Sequence, residues 1–161
     1  MTDSEALTAH EQQLWRELGR LTHALPRLLE DDMNRATGLT MTDFAVLLML
    51  GEAPGQRMRM AELAAKVGLT PSRITRVVDG LCTRALATKE RDPADARGNV
   101  AALTATGLTA LHAAEPHHLA SARRRVLDHV PADAVPALAD ALHRITTALI
   151  NPKDCPDARN R

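Results

Sequence analysis

Val67-Gly68-Leu69-Thr70-Pro71-Ser72-Arg73-Ile74-Thr75-Arg76-Val77-Val78-Asp79 is the stretch that decides how this chain folds. Gly68 suits a chain reversal, Thr70 suits a helix cap and Pro71 suits the first helical position, so the segment reads as a turn opening a helix. The residues before it, from Arg59, read as another short helix. Helix, Gly-containing turn and capped helix make a helix-turn-helix, whose second helix is shaped to enter a DNA major groove.

The faces of that second helix divide the work. Ile74, Val77, Val78 and Leu81 fall at i, i+3, i+4 and i+7, the spacing of one buried stripe. Ser72, Arg76 and Asp79 then point away from the stripe, with Arg73, Thr75 and Gly80 on its shoulders. Arg can grip guanine O6 and N7 with two parallel bonds, and Ser and Thr exchange hydrogen bonds with bases or phosphates. The helix N-terminus, opened by Thr70, adds N–H groups and partial positive charge suited to a phosphate. An ordinary amphipathic surface helix also carries Arg on its wet side, so the helix alone does not decide between the two readings.

The next segment tips the balance. Ala87–Arg91 and Val100–Thr104 are two short runs separated by Pro, Asp, Gly and Asn, the composition of a hairpin turn. Such a hairpin is a wing reaching sideways toward the minor groove, where a narrow groove concentrates negative potential and favours an inserted Arg. Arg97 is the candidate for that role, at the tip Asp95-Ala96-Arg97-Gly98. Asp95 cannot favour DNA itself and is assigned to supporting the wing by pairing with an Arg.

With these residues in view, the chain resembles the MarR family of winged helix-turn-helix transcriptional regulators. The resemblance is carried by Arg59-Met60-Ala61-Glu62-Leu63-Ala64, by Leu69 to Asp79, and by Arg91-Asp92, Asp95-Ala96-Arg97-Gly98 and Leu103-Thr104-Ala105-Thr106-Gly107. It extends to Gly38-Leu39-Thr40 with Asp43-Phe44 and to the long helices at each end. Two departures stand out. Ala85 occupies a position where the family usually ends its recognition helix with Gly, and Pro26 falls inside the first helical pattern, where it is expected to kink the helix. The candidate DNA contacts are Thr70, Ser72, Arg73, Thr75, Arg76, Arg91, Arg97 and Gly98.

Composition fits a small regulator. The 161 residues are one domain by size and enough to bury a core. The longest apolar run, Phe44 to Leu50, is too short to span a bilayer, and no positively charged apolar leader opens the chain. Two distant cysteines, Cys82 and Cys155, make no disulfide framework, which fits a reducing cytoplasm. Trp15 and Phe44 are the only aromatics, which argues against stacking on single strands and leaves a duplex reader untouched. The formal net charge is zero, yet it is unevenly spread. Residues 1–56 hold four Arg against nine acids, residues 57–97 nine basic against five acidic side chains, and residues 98–161 seven against six. The positive excess lies in the segment expected to meet phosphate.

The two ends read as a dimerisation region. Leu14, Leu18, Leu21, Leu25 and Leu28 form a seam on one helix, and Val135, Leu138, Leu142, Ile145 and Leu149 form a similar stripe on the last. Between them a long helix is expected from Thr106 to Val130, interrupted by Pro116. An intramolecular bundle would use the same stripes. The family resemblance implies dimerisation through the first and last helices, and two-fold symmetry lets a dimer read a palindrome. Residues 1–38 and 106–150 are therefore assigned to dimerisation, 39–105 to a winged helix-turn-helix, and 151–161 to a disordered tail. The fold class is mostly α (α+β).

No catalytic constellation is present in the sequence, and neither an enzyme nor a cofactor is expected. Adjacent His117 and His118 point apart on a helix and cannot chelate one ion together, and His112 with Glu115 lacks further ligands. Cys82 reads as a small buried hydrophobe. The cysteine-based oxidant sensing of some MarR relatives needs a cysteine near the first helix and tyrosines, and this chain has neither there. The family usually answers to small, often aromatic acids bound between the dimer helices and the winged helix. By position, Trp15, His23, Met33 and Phe44 are the candidates for that effector site, although such residues also serve as plain core. The expected function is a homodimeric repressor on a palindromic duplex operator, released by a small-molecule effector. The alternatives are a metal- or redox-sensing switch on the same scaffold and a winged helix used only for protein contact.

Overall fold

A computed structural model describes residues 6–92 and 95–150, and the side chains of residues 92–97 lie outside that description. The tail from residue 151, expected to be disordered, also lies outside the described residues. The elements run α1 (Ala9–Thr37), α2 (Met41–Glu52), β1 (Arg57–Arg59), α3 (Met60–Val67), α4 (Pro71–Thr83), β2 (Ala87–Asp92), β3 (Asp95–Leu103), α5 (Ala105–Arg125) and α6 (Val135–Ile150). The fold is mostly helical with one three-stranded antiparallel sheet ordered β1-β3-β2, which makes it a winged helix-turn-helix.

Local chemistry sets the helix ends. Thr8 accepts from the Glu11 amide at 3.3 Å while Glu11 Oε2 accepts from the Thr8 amide at 2.7 Å, a reciprocal cap that starts α1. The Thr8 hydroxyl also donates to Glu11 Oε2 at 2.7 Å, and this bond, followed by that from the Thr8 amide, holds the Glu11 carboxyl below its ordinary pKa. Thr40 and Asp43 repeat the device on α2. At the end of α3, Gly68 takes φ 72°, a left-handed conformation that costs glycine nothing and lets the chain turn at once into α4. Ala85 takes φ 56°, so this chain adopts the left-handed turn without the glycine and bears the steric cost.

The core gathers beneath the helix-turn-helix. Val46, Leu47 and Leu50 of α2, Leu63 of α3, and Ile74, Val78 and Leu81 of α4 form one buried cluster with Met58, Ala101 and Leu103 of the sheet. Burying each large aliphatic side chain favours folding by about 1.5–3 kcal/mol. The sheet is closed onto α5 at a point of close approach, where a Cβ on Gly107 would lie 1.9 Å from the Leu86 carbonyl oxygen. Only glycine fits there.

Three sequence expectations change. Pro116 does not interrupt α5, and α1, in which Pro26 is expected to kink the helix, likewise continues as one helical segment past that residue. Each proline removes one backbone bond, but both sit on exposed stretches where water can serve the orphaned carbonyl. The helix expected to reach Val130 ends at Arg125 and gives way to a short 3-10 turn over Leu127–His129. The wing strands reach further out than the two runs read from the sequence, because β2 extends to Asp92 and β3 begins at Asp95. The segment placed at the hairpin tip therefore belongs to β3 itself. The register passes from Arg91↔Asn99 to Asp92↔Asp95, which leaves residues 96–98 without counterparts on β2, a bulge.

By internal contacts the chain divides into residues 1–122 and 123–161. Within the second unit, the short turn is joined to the end of α5 by Arg123, whose guanidinium lies 3.9 Å from Asp128 Oδ1. Along α6, Val135, Leu138, Leu142, Ile145 and Leu149 are all exposed.

Candidate nucleic-acid interface

α4 presents two faces, as its periodicity implies. Ile74, Val78 and Leu81 are buried and Val77 is half-buried, while Ser72, Arg73, Thr75, Arg76, Asp79 and Gly80 are exposed. The Thr70 hydroxyl is committed to the cap, 3.4 Å from the Arg73 amide, and lies 3.3 Å from Ser72 Oγ. Thr75 Oγ1 donates back to the Pro71 carbonyl at 2.8 Å, so its hydroxyl hydrogen is spent and only its lone pairs face outward. The side chains of Arg73 and Arg76 are exposed and engage no hydrogen-bond or ion-pair partner among the described residues. Their guanidinium groups are chemically available to bases or phosphates.

The hairpin lies beside this helix. Arg91 is exposed near the outer end of β2, and Gly98 is half-buried on β3. Arg97 and Asp95 are placed by backbone in β3, and their side chains lie outside the described residues, as does the pairing expected of Asp95. The surface thus brings together Thr70, Ser72, Arg73, Thr75 and Arg76 on one helix end, with Arg91 on the adjoining strand.

Ion pairs that the sequence reading did not identify frame this surface. Lys89 Nζ of β2 donates to Asp79 Oδ1 of α4. Glu90 Oε2, the next residue, lies 3.8 Å from Arg57 Nη2 of β1. Arg84, just past α4, donates to Asp43 Oδ2 at 3.2 Å and to the Gly38 carbonyl at 3.3 Å, which ties the end of α4 to the corner between α1 and α2. None of these pairs has a sequence signature, since the partners are brought together only by the tertiary fold. Cys82 is half-buried against the core, and its thiol pKa is raised, first by burial and then by the Asp79 carboxylate, with Lys89 opposing.

The four candidate effector residues separate into pairs. Met33 and Phe44 are both buried in the core cluster. Trp15 is 72% exposed on α1, and exposed His23 has Nδ1 2.7 Å from the Gly19 carbonyl one turn back. Met33 and Phe44 have neighbours that the sequence reading missed. His118 of α5 packs against Phe44 in a tilted pair with ring centroids 4.8 Å apart, and its Nδ1 is buried without a hydrogen-bond partner among the described residues. Asp32, next to Met33, accepts from Ser121 Oγ. Among the described residues no three His, Cys, Asp or Glu side chains converge as metal ligands, and no helix is long and apolar enough to cross a membrane.

Comparison with known proteins places this geometry. The model of the MarR family matches residues 37–98. The chain is similar to Sco3205, a MarR family transcriptional regulator from Streptomyces coelicolor solved in complex with DNA, at 30% identity over 90% of this chain and 91% of that one, with a TM-score of 0.83. It is similar to AbsC, a MarR family transcriptional regulator from the same organism, at 34% identity over 91% and 98% of the two chains, with a TM-score of 0.82. CouR from Rhodococcus jostii RHA1, solved bound to p-coumaroyl-CoA, matches at 26% identity over 92% and 97%, with a TM-score of 0.70. No curated protein matches the chain at significance.

Proposed function

The chain belongs to the MarR family of transcriptional regulators, and from that premise we propose that it acts in the cytoplasm as a homodimeric repressor that holds a palindromic duplex operator and releases it when a small-molecule effector binds. The observation that carries this reading is the exposed face of α4, where Arg73 and Arg76 stand unpartnered among the described residues beside the wing. The positive excess over residues 57–97 supports it, because phosphate attraction supplies most non-specific DNA affinity. The similarity to Sco3205 in complex with DNA supports the same use of the surface. In this reading Thr70, Ser72, Arg73, Thr75, Arg76, Arg91, Arg97 and Gly98 contact DNA, and Asp95 supports the wing.

Residues 39–105 read DNA, and residues 1–38 and 106–150 dimerise. Support for the dimer comes from the exposed Leu14 and Leu21 on α1 and the exposed apolar stripe of α6, large hydrophobic side chains of a kind that marks interaction surfaces. The effector is a small aromatic acid or a derivative of one, as the p-coumaroyl-CoA bound to CouR suggests, and its site includes Met33, Phe44, Trp15 and His23. The protein works by binding and does no chemistry.

The test is selection of duplexes from a randomised library by the purified protein, followed by anisotropy titrations over a salt series. An enriched palindrome whose affinity falls steeply with salt is the expected result. A protein that enriches no duplex overturns the reading.

A further inference from the structure

Asp79 is a costly residue to place on the open face of α4. It is half-exposed on the same side as Arg76, and its carboxylate repels phosphate wherever that face meets DNA. No capping role explains it, since it lies in the third turn of the helix rather than the first. What the carboxylate does is accept from Lys89 Nζ, across from α4 to β2.

Lys89 is the more enclosed partner, with its side chain 29% exposed against 52% for Asp79. It pairs with Ala101 of β3 in the sheet register, well inside the strand and away from the outer end of the hairpin. Side chains alternate along a strand, so Glu90 leaves from the opposite face, where it meets Arg57 of β1. The base of the wing is thus held on one face by the recognition helix and on the other by β1. Arg91 lies two residues further out, about 7 Å along the strand. A small tilt at Lys89 displaces everything beyond it.

We propose that Asp79 and Lys89 form a strut that sets the angle between α4 and the wing, so that both are positioning residues for DNA reading and neither is a DNA contact. The inference rests on the reading of α4 and the wing as the DNA-binding surface. It turns the sign of an electrostatic expectation. If Asp79 only faced the DNA, replacing its carboxylate with a neutral amide would tighten binding by removing a repulsive charge. With the strut, the same change loosens the wing and weakens binding.

The experiment uses the duplex that the full-length wild-type protein enriches from a randomised library. Affinity for it is measured over a salt series for Asp79→Asn, Lys89→Met, the double variant, and the swapped pair Asp79→Lys with Lys89→Asp, and thermal unfolding is followed for each. Asp79→Asn and Lys89→Met should each weaken binding about two- to fivefold, the range of an exposed ion pair. The double variant should be no weaker than either single one, the salt slope of Lys89→Met should match the wild type, and the swapped pair should recover part of the loss. Unfolding midpoints should stay close to wild type, which separates positioning from loss of fold. Tighter binding by Asp79→Asn overturns the strut. So does a salt slope reduced by about one per subunit in Lys89→Met, which marks a phosphate contact. A wild-type protein that enriches no duplex overturns the underlying DNA reading instead, and the strut with it.

Discussion

Ser121 of α5 donates a hydrogen bond from Oγ to Asp32 Oδ2 of α1 at 2.5 Å, with both residues buried. A carboxylate at 7% exposure is costly unless its lone pairs are used, and the hydroxyl supplies a donor from 89 residues away in sequence. Arg35, one turn later on α1, brings Nη1 to within 3.7 Å of the other oxygen. The bond pins α5 to α1 next to Met33, a residue of the core cluster.

Ser121→Ala removes that donor and leaves the carboxylate in place. The loss should be about 1.5–3 kcal/mol, the range of a hydrogen bond to a charged group. Urea unfolding of wild type and variant checks it, and an unchanged midpoint would show that the bond contributes nothing net.

Two backbone positions should respond in opposite directions. Gly107→Ala drives a methyl into the Leu86 carbonyl, a backbone atom that cannot step aside, and should cost about 3 kcal/mol or more. Ala85→Gly relieves the left-handed strain at φ 56° on an exposed residue and should stabilise by up to about 1 kcal/mol, the strain relieved less the added freedom of the unfolded chain. Thermal unfolding of both variants reads the signs. A stabilised Gly107→Ala would contradict the packing of α5 on the turn before β2.

These positions show what the sequence could and could not disclose. The turn at Gly68, the cap at Thr70 and the buried stripe of Ile74, Val78 and Leu81 depend on residues within a turn or two of each other, so spacing alone reveals them. Ala85 announced its left-handed turn only through the family resemblance. β1 escaped notice because three residues with only Met58 buried give no periodic signal. The outer wing was read short because Asp92 and the stretch from Asp95 to Asn99 have turn composition, and an exposed two-stranded ribbon needs no apolar alternation to pair. Partners such as Ser121 with Asp32, Arg84 with Asp43 and Lys89 with Asp79 are set by tertiary packing, which one sequence does not encode as a pattern. All four candidate effector residues were chosen by position; Met33 and Phe44 lie in the core cluster, and the nearby polar residues His118 and Ser121 lay too far along the chain to be associated with them.

The leucine seam should be the place where two copies meet. Leu21 is 48% exposed on α1 and Leu18 is half-buried, so an acidic residue at these positions disturbs little within one chain. Leu18→Asp with Leu21→Asp puts unpaired charge into the proposed interface and should yield monomers or unfolded chain at micromolar concentration, where the wild type is expected to dimerise. Sedimentation velocity distinguishes the two. A wild type that sediments as a monomer over that range would remove the dimer from the proposed function.

Arg76, exposed at the middle of the open face of α4, should read a base. Arg76→Ala should cost about 1–3 kcal/mol and relax the preference at one position in each half-site. The half-sites should lie about 10 bp apart, one turn of duplex. Competition between the selected operator and scrambled DNA measures this. An unchanged ratio would reduce Arg76 to a phosphate contact.

Arg97 should act through the minor groove, and its prediction is the most exacting of the set. The bulge across residues 96–98 breaks the β2–β3 pairing beside it, a device that bends a strand and strengthens its twist. An Arg in a narrow groove responds to width and negative potential, not to a hydrogen-bond code. Arg97→Ala should therefore weaken operator binding and flatten its salt dependence, because one fewer counterion is released per subunit. The half-site preference should survive, while the preference for an A·T-rich flank fades. Arg97→Lys should recover only part of the loss, since an ammonium holds its water more tightly than a guanidinium and enters a narrow groove at greater cost. The measurement is affinity over a salt series on operators whose flanks are changed from A·T to G·C. Equal penalties for wild type and Arg97→Ala on that change would mean that the wing does not read the flank.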